Sequence, residues 1–210
     1  MLQKMEALGQ KIRTMQAEMG MYLDYLHAQA YTDALTQLGN SHAYHEAVDE
    51  LRKKIEGGTA NFYVSVFDIN GLKDLNDNFG HDCGDLYIRG AASALKEGFE
   101  NACAYRIGGD EFVVIVEEQD QQHVQKSLRN VASAIDAFNE STRYPAGLVV
   151  SQGTACFDPD LDATYDDVFS RADRAMYENK REFYLQRGTV PRHRASFDNA
   201  NDNNSIGEQA

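Results

Sequence analysis

Closely spaced cysteines are missing from this 210-residue chain. Its three stand apart, at Cys83, Cys103 and Cys156, which excludes a disulfide framework and a zinc knuckle and reads as reduced thiols in a cytoplasmic protein. Positive charge is scarce too: 20 Lys and Arg against 33 Asp and Glu leave a formal charge of −13. Such a balance argues against gripping a nucleic-acid backbone over a broad surface, so DNA is not expected as a partner. No apolar run approaches the roughly 20 residues that a membrane-spanning helix needs, and no secretory leader is recognisable, so no direct membrane span is expected, although a membrane-bound parent or partner stays open. The glycine-rich phosphate loops Gly-x-Gly-x-x-Gly and Gly-x-x-x-x-Gly-Lys-Ser/Thr are absent as well, so any nucleotide is held another way. What is present is a 42% hydrophobic content, enough for the core of one domain with short extensions.

Residues 1–30 carry Met5, Leu8, Ile12, Met15, Met19, Tyr22 and Leu26 at alternating spacings of three and four, a heptad seam. It predicts either a parallel dimerising stalk or a single amphipathic helix folded back on its own domain; Gly9 and Gly20 weaken the helix in both cases. After a linker, Asn40 or Ser41 can cap a helix with Tyr44, Ala47, Val48 and Leu51 on one stripe, ending near Gly57 and Gly58. Residues 61–68 read as a central strand that delivers Asp68 at its end. A short helix through Leu72, Leu75 and Phe79 follows, and Asp85 is expected to open the next. Residues 102–107 and 112–116 read as a hairpin around Gly108, Gly109, Asp110 and Glu111. A helix through Val124, Leu128, Val131, Ile135 and Phe138, a strand from Leu148, and a last helix burying Val168, Phe169, Ala172 and Met176 complete the domain at about residue 187. The polar tail, 188–210, reads as disordered. Strands separated by helices, with one antiparallel hairpin, predict an α/β or α+β sandwich.

Asp68 at one strand end and Asp110 and Glu111 in a neighbouring hairpin can converge, since sequential strands often lie side by side. Three carboxylates together repel unless a cation joins them, and magnesium favours such oxygen ligands while bridging to phosphates. Lys73, across the turn from Asp68, can meet those phosphates. The alternative is plainer: Asp68 as a helix cap, Asp110 and Glu111 as turn residues, and Lys73 as a surface charge.

The run Arg106-Ile107-Gly108-Gly109-Asp110-Glu111-Phe112 resembles the signature of the GGDEF family of diguanylate cyclases. Residues 33–40 resemble the family's opening Asp-x-Leu-Thr-Gly-Leu-x-Asn element, and residues 67–85 its long metal- and substrate-binding segment, so the resemblance covers about 31–184. It implies a palm-like α+β domain with a mostly antiparallel five-stranded sheet wrapped by helices. It also implies that two GTP are condensed into cyclic di-GMP with release of two pyrophosphates, in a homodimer whose domains face each other. Asp68 and Glu111 then hold Mg2+ (or Mn2+) with the backbone carbonyl of Ile69, and Asp110 helps to bind metal and promotes attack by the ribose 3′-hydroxyl. Lys73 and Lys180 match phosphate-contacting positions, Asn40 and Asp49 guanine-reading ones, and Asn76 a position near the sugar. His81 matches one near the phosphates, with a structural role for it equally open, and Asp85 reads as a helix cap.

The chain departs from the family pattern at several points. Gln37 replaces the common Gly, and Ser41 and His42 the paired arginines after Asn40. Asn70 stands where an aspartate is frequent. Lys180-Arg181-Glu182-Phe183-Tyr184 replaces Lys-x-x-Gly-Arg-Asn, so Tyr184 supplies no cation there, with Arg181 as a possible substitute. The inhibitory Arg-x-x-Asp site that relatives carry just before the signature is Phe99-Glu100-Asn101-Ala102 here, so no product site of that kind is expected. Regulation is then expected from an upstream sensory domain or a separate protein. Two other readings stay open: a GTP-binding regulatory or protein-interaction module of the same type with weak catalysis, and a palm-like enzyme acting on another nucleotide.

Overall fold

Ten elements follow one another along the chain: α1 (Leu2–Tyr31), α2 (Ser41–Glu56), β1 (Phe62–Ile69), α3 (Leu72–Phe79), α4 (His81–Gly98), β2 (Cys103–Arg106), β3 (Glu111–Glu117), α5 (Gln121–Ser141), β4 (Val150–Cys156) and α6 (Tyr165–Gln186). The computed structural model describes residues 2–100, 102–141 and 147–189, with backbone alone at 2–8 and 23–28. The predicted tail therefore lies, from residue 190, outside the described residues.

The strands align in the order β2-β3-β1-β4, each neighbouring pair antiparallel. Side chains alternate between the two faces of the sheet. Phe67, Ile69, Phe112, Val114 and Val116 pack on one side with residues of α3, α4 and α5. Val64, Val66, Val113 and Ile115 pack on the other, beneath Val48 and Leu51 of α2 and Val168, Ala172 and Met176 of α6. The result is an α+β domain with helices over both faces of a small antiparallel sheet.

The five strands implied by the resemblance are four among the described residues. At the β2 edge a fifth chain segment is reduced to a single parallel bridge, between Gly39 and Tyr105. At the other end Phe183 stands where a glycine is expected, so nothing stops α6, which continues to Gln186. It ends at Gly188, whose φ of 68° is a conformation glycine adopts without strain, while the N–H groups of Arg187 and Thr189 both donate to the Tyr184 carbonyl. Side chains of α6 take two backbone groups of β4: Asn179 accepts from the Gln152 N–H at 3.1 Å, and Arg171 donates to the Cys156 carbonyl at 2.5 Å.

Helix α4 begins at His81, four residues before the expected start, so Asp85 lies inside it and is not a cap. Its first turn includes Gly84, which lets α3 and α4 approach: a Cβ there would lie 1.9 Å from Asn76 Oδ1. Helix α1 carries the predicted heptad seam. Of its seam, Ile12, Met15, Met19 and Tyr22 are 48–67% exposed, while the side chains of Met5, Leu8 and Leu26 lie outside the described residues.

The opening motif forms a closed turn. The N–H of Asp33 donates to Leu38 O, that of Gln37 to Asp33 O, and the Asp33 carboxylate accepts from the backbone and hydroxyl of Thr36 at 2.9 and 2.7 Å. Gln37, in place of the glycine, holds a left-handed φ of 56°. A side chain in that region costs about 1–2 kcal/mol, offset in part by the greater chain entropy of an unfolded glycine. Gln37→Gly is therefore expected to stabilise the domain by about 0.5–1 kcal/mol in urea unfolding. A loss of stability would mean that the bond from Gln37 Nε2 to Ala34 O outweighs the strain.

Candidate active site

Register brings the acidic residues together. Asp68 lies directly opposite Glu111 in the β1–β3 ladder, and the N–H of Ile69 donates to the Asp110 carbonyl at 3.0 Å, which seats the hairpin turn on the end of β1. Carboxylate oxygens of Asp68, Asp110 and Glu111 all lie within 4.8 Å of one another. The alternation that sends Val64 and Val66 toward α6 sends Asp68 the same way, past the point where the core stops. Helix α6 continues its buried stripe Ala172, Met176 by one more turn to Lys180, whose Nζ donates to Asp68 Oδ1 at 2.6 Å. That side chain is 18% exposed and that of Asp68 3%, so the pair is largely shielded from water.

Asp68, Ile69, Lys73, Asp110, Glu111 and Lys180 line one cleft of about 430 Å³, together with Asp74, Tyr184 and Thr189. Hard oxygen donors converging at this spacing, with no sulfur or imidazole among them, fit a divalent cation of the magnesium type and the phosphates it would bridge. Asp74 and Thr189 escape sequence reasoning because nothing in their spacing marks them; the turn that ends α6 brings Thr189 in. Tyr184 lines the cleft where the resemblance expects a cation. Arg181 is exposed and lines no part of the cleft, whereas Arg187 stacks on Phe183, 4.2 Å from the ring centre, and lines an adjoining cavity of about 310 Å³ with Tyr184 and Thr189.

The hairpin turn is braced from behind. Arg106 donates through Nε to Gly108 O at 3.1 Å and through Nη2 to Gly109 O at 2.8 Å, while its Nη1 meets both carboxylate oxygens of Asp33 at 3.2 and 3.4 Å. Burial disfavours the charge on Asp33, but bonds from Thr36 and the Arg106 guanidinium outweigh it and hold the carboxyl below its ordinary value. Asp33 is thus a support of the acidic turn, a role its sequence position does not disclose. Asn70 exchanges hydrogen bonds with the buried Ser151, at 2.8 and 3.0 Å, in the strand beside Asp68.

Asn76 and His81, two further predicted residues, line no part of that cleft; they lie near the step between α3 and α4, as does Asp85, which the sequence reads as a cap. Asn76 of α3 packs against Gly84, and its Oδ1 is buried without a hydrogen-bond partner; Asp85 follows Gly84, one helical turn beyond His81 on α4. Asn40 and Asp49 do not join either group. Asn40 caps α2 through Oδ1, which accepts from Ala43 N–H, and donates its amide to Ala30 O at 2.8 Å. Asp49 lies more than two turns further along α2, paired with Arg52 at 3.0 Å, in a separate depression with Tyr31 and Glu46. Phe99, at the site of the missing inhibitory arginine, is core and packs edge-on against Phe67; Asn101 lies outside the described residues.

Among the described residues no helix is long and apolar enough to cross a membrane. A family model described as "Diguanylate cyclase, GGDEF domain" matches residues 30–183. The chain is 31% identical over 154 residues to the diguanylate cyclase DgcS of Shewanella oneidensis, covering 72% of this chain and 50% of that protein. It is 30% identical over 152 residues to the diguanylate cyclase DgcZ of Escherichia coli, covering 70% and 49%. The chain thus spans about half the length of these curated relatives. Among solved structures, the coiled coil and GGDEF domain of DgcB from Caulobacter crescentus, in complex with c-di-GMP, superposes with a TM-score of 0.71 at 27% identity, covering 85% of this chain and 95% of that one. With a family model matching most of its length, the chain belongs to the GGDEF-domain family, whose members typically act as diguanylate cyclases.

Proposed function

We propose that this chain is a diguanylate cyclase that joins two GTP into cyclic di-GMP in the cytoplasm, with two copies facing each other and one nucleotide on each. The observation that carries the reading is the trio Asp68, Asp110 and Glu111, within 4.8 Å, in a cleft that also holds Lys73 and Lys180. In each of two steps a ribose 3′-oxygen forms a bond to the α-phosphorus of the other GTP, the bond from that phosphorus to the bridging oxygen breaks, and pyrophosphate leaves. Mg2+, held by the carboxylates and the Ile69 carbonyl, would supply charge neutralisation for the phosphates and acidify the attacking hydroxyl. Asp110, on the turn, receives that hydroxyl's proton. Lys73 and Lys180 bind the outer phosphates and stabilise the leaving pyrophosphate.

Reading guanine requires acceptors facing its N1 and N2 protons, an amide carbonyl and a carboxylate side by side. Asn40 and Asp49 are engaged in capping and ion pairing. The pair available is Asn76, with its unpartnered Oδ1, and Asp85, so we assign base recognition to these two, with His81 beside them. The stalk reading rests on the exposed seam of α1, whose pairing in a parallel dimer raises the concentration of one half-site around the other.

Incubated with GTP and Mg2+, the protein is expected to yield cyclic di-GMP by mass spectrometry, and Asp110→Asn or Glu111→Gln to lower the rate at least about 100-fold. GTP bound without product, by a confirmed dimer, would instead make the chain a nucleotide-responsive module, a reading favoured by Tyr184 in the cleft. Replacing Asn76 and Asp85 together by alanine is expected to narrow the preference for GTP over ATP about tenfold or more, whereas the same change at Asn40 and Asp49 leaves it intact. Deleting residues 1–30 should halve the mass measured by light scattering and make the rate per chain rise with protein concentration. A dimer that survives the deletion would remove α1 from this role.

A further inference from the structure

We infer that Lys180 is a resident counter-cation of the acidic cluster, one that competes with a divalent metal for Asp68 and yields it to metal arriving with a triphosphate. The site thereby discriminates the metal–nucleotide complex from the free cation. The inference rests on the metal-and-triphosphate reading of the cleft given above.

Three features support it. The ammonium sits 2.6 Å from Asp68 Oδ1, in a pair whose side chains are 18% and 3% exposed, so its charge is weakly screened by solvent. The three carboxylates offer oxygens within 4.8 Å, so any ion bridging them lies within a few ångströms of that ammonium and is repelled by it. Finally, Lys180 also faces the cleft that would receive the phosphates, and a lysine head is a compact charge on a flexible stem that can swing without moving its helix.

The charges show why the two ligands must come together. Three carboxylates and one lysine sum to −2. A divalent ion binding alone neutralises that charge but leaves the displaced ammonium facing a cation with no new partner. A metal carried on a triphosphate brings the partner with it, so the lysine moves from Asp68 to phosphate oxygens. Metal and nucleotide affinities are then coupled, each raising the other.

The test titrates Mn2+ into the full chain and reads the free ion by electron paramagnetic resonance, comparing the unmodified protein with Lys180→Met and Lys180→Arg. Without nucleotide, Lys180→Met is expected to bind Mn2+ about tenfold more tightly, and Lys180→Arg, which keeps the charge, to stay near the unmodified protein. At saturating Mn2+, the affinity of Lys180→Met for 3′-deoxy-GTP, which lacks the attacking hydroxyl, is expected to fall about tenfold. A misfolded site cannot raise one affinity while lowering the other. Equal or weaker Mn2+ binding by Lys180→Met overturns the inference alone, whereas no Mn2+ binding by any of the proteins overturns the metal reading and the inference with it. Because removing the lysine leaves three carboxylates less compensated, thermal melting gives a second readout: in chelator Lys180→Met should melt below the unmodified protein, and Mn2+ should raise its Tm more. Equal increments in the two proteins count against the inference.

Discussion

Two carboxylates directly opposite each other on neighbouring strands repel, and the rest of this domain is arranged around keeping Asp68 and Glu111 in that position. The pairing cannot relax by slippage. A one-residue shift of β1 against β3 would turn Phe67 and Ile69 out of one core and Val64 and Val66 out of the other, exchanging every buried side chain at once. Hydrophobic burial on both faces of the sheet thus holds a repulsive pair in place, and Lys180 relieves the repulsion from the helix above. The acidic cleft is a consequence of where the core ends.

Most of this could be read from the chain. The β-branched and aromatic run ending in Asp68, the glycine pair before Asp110, and the helical stripe that carries Lys180 are each local signals, and together they give the cluster without knowledge of the fold. What escaped was set by contacts between distant segments. The early start of α4 was hidden because glycine has low helix propensity, and the close packing of Gly84 against Asn76 is a contact between helices that the chain alone does not show. Asn40 and Asp49 looked like an amide and a carboxylate poised for a base, yet nine positions along a helix is more than two turns, and both side chains already have partners on or beside α2. Asn76 and Asp85 are equally far apart in sequence, but the sharp step between α3 and α4 at Gly80 lies between them.

The departures at the end of the domain share one cause. With Phe183 in place of a helix-ending glycine, α6 gains a turn beyond Lys180, and that turn delivers Tyr184 and Thr189 to the cleft and Arg187 to the cavity beside it. The residues around this helix end therefore set the chemistry of the wall that faces the cleft. At the opening motif, by contrast, Gln37 keeps the backbone course that a glycine would have taken, so the turn that carries Asp33 to Arg106 is unchanged in shape and only strained.

Asn40, the cap of α2, also binds the end of α1 twice, through its amide to Ala30 O and through its backbone N–H to Tyr31 O, while the adjoining Gly39 accepts from Arg106 N–H at 2.8 Å. The long helix is therefore keyed to the domain by directional bonds at its last turn. Such a joint resists rotation about the helix axis, while the described side chains Ile12, Met15, Met19 and Tyr22 further along α1 stay exposed. Like a spline, it fixes the angular setting of α1 at the residue that stands next to the arginine bracing the acidic turn.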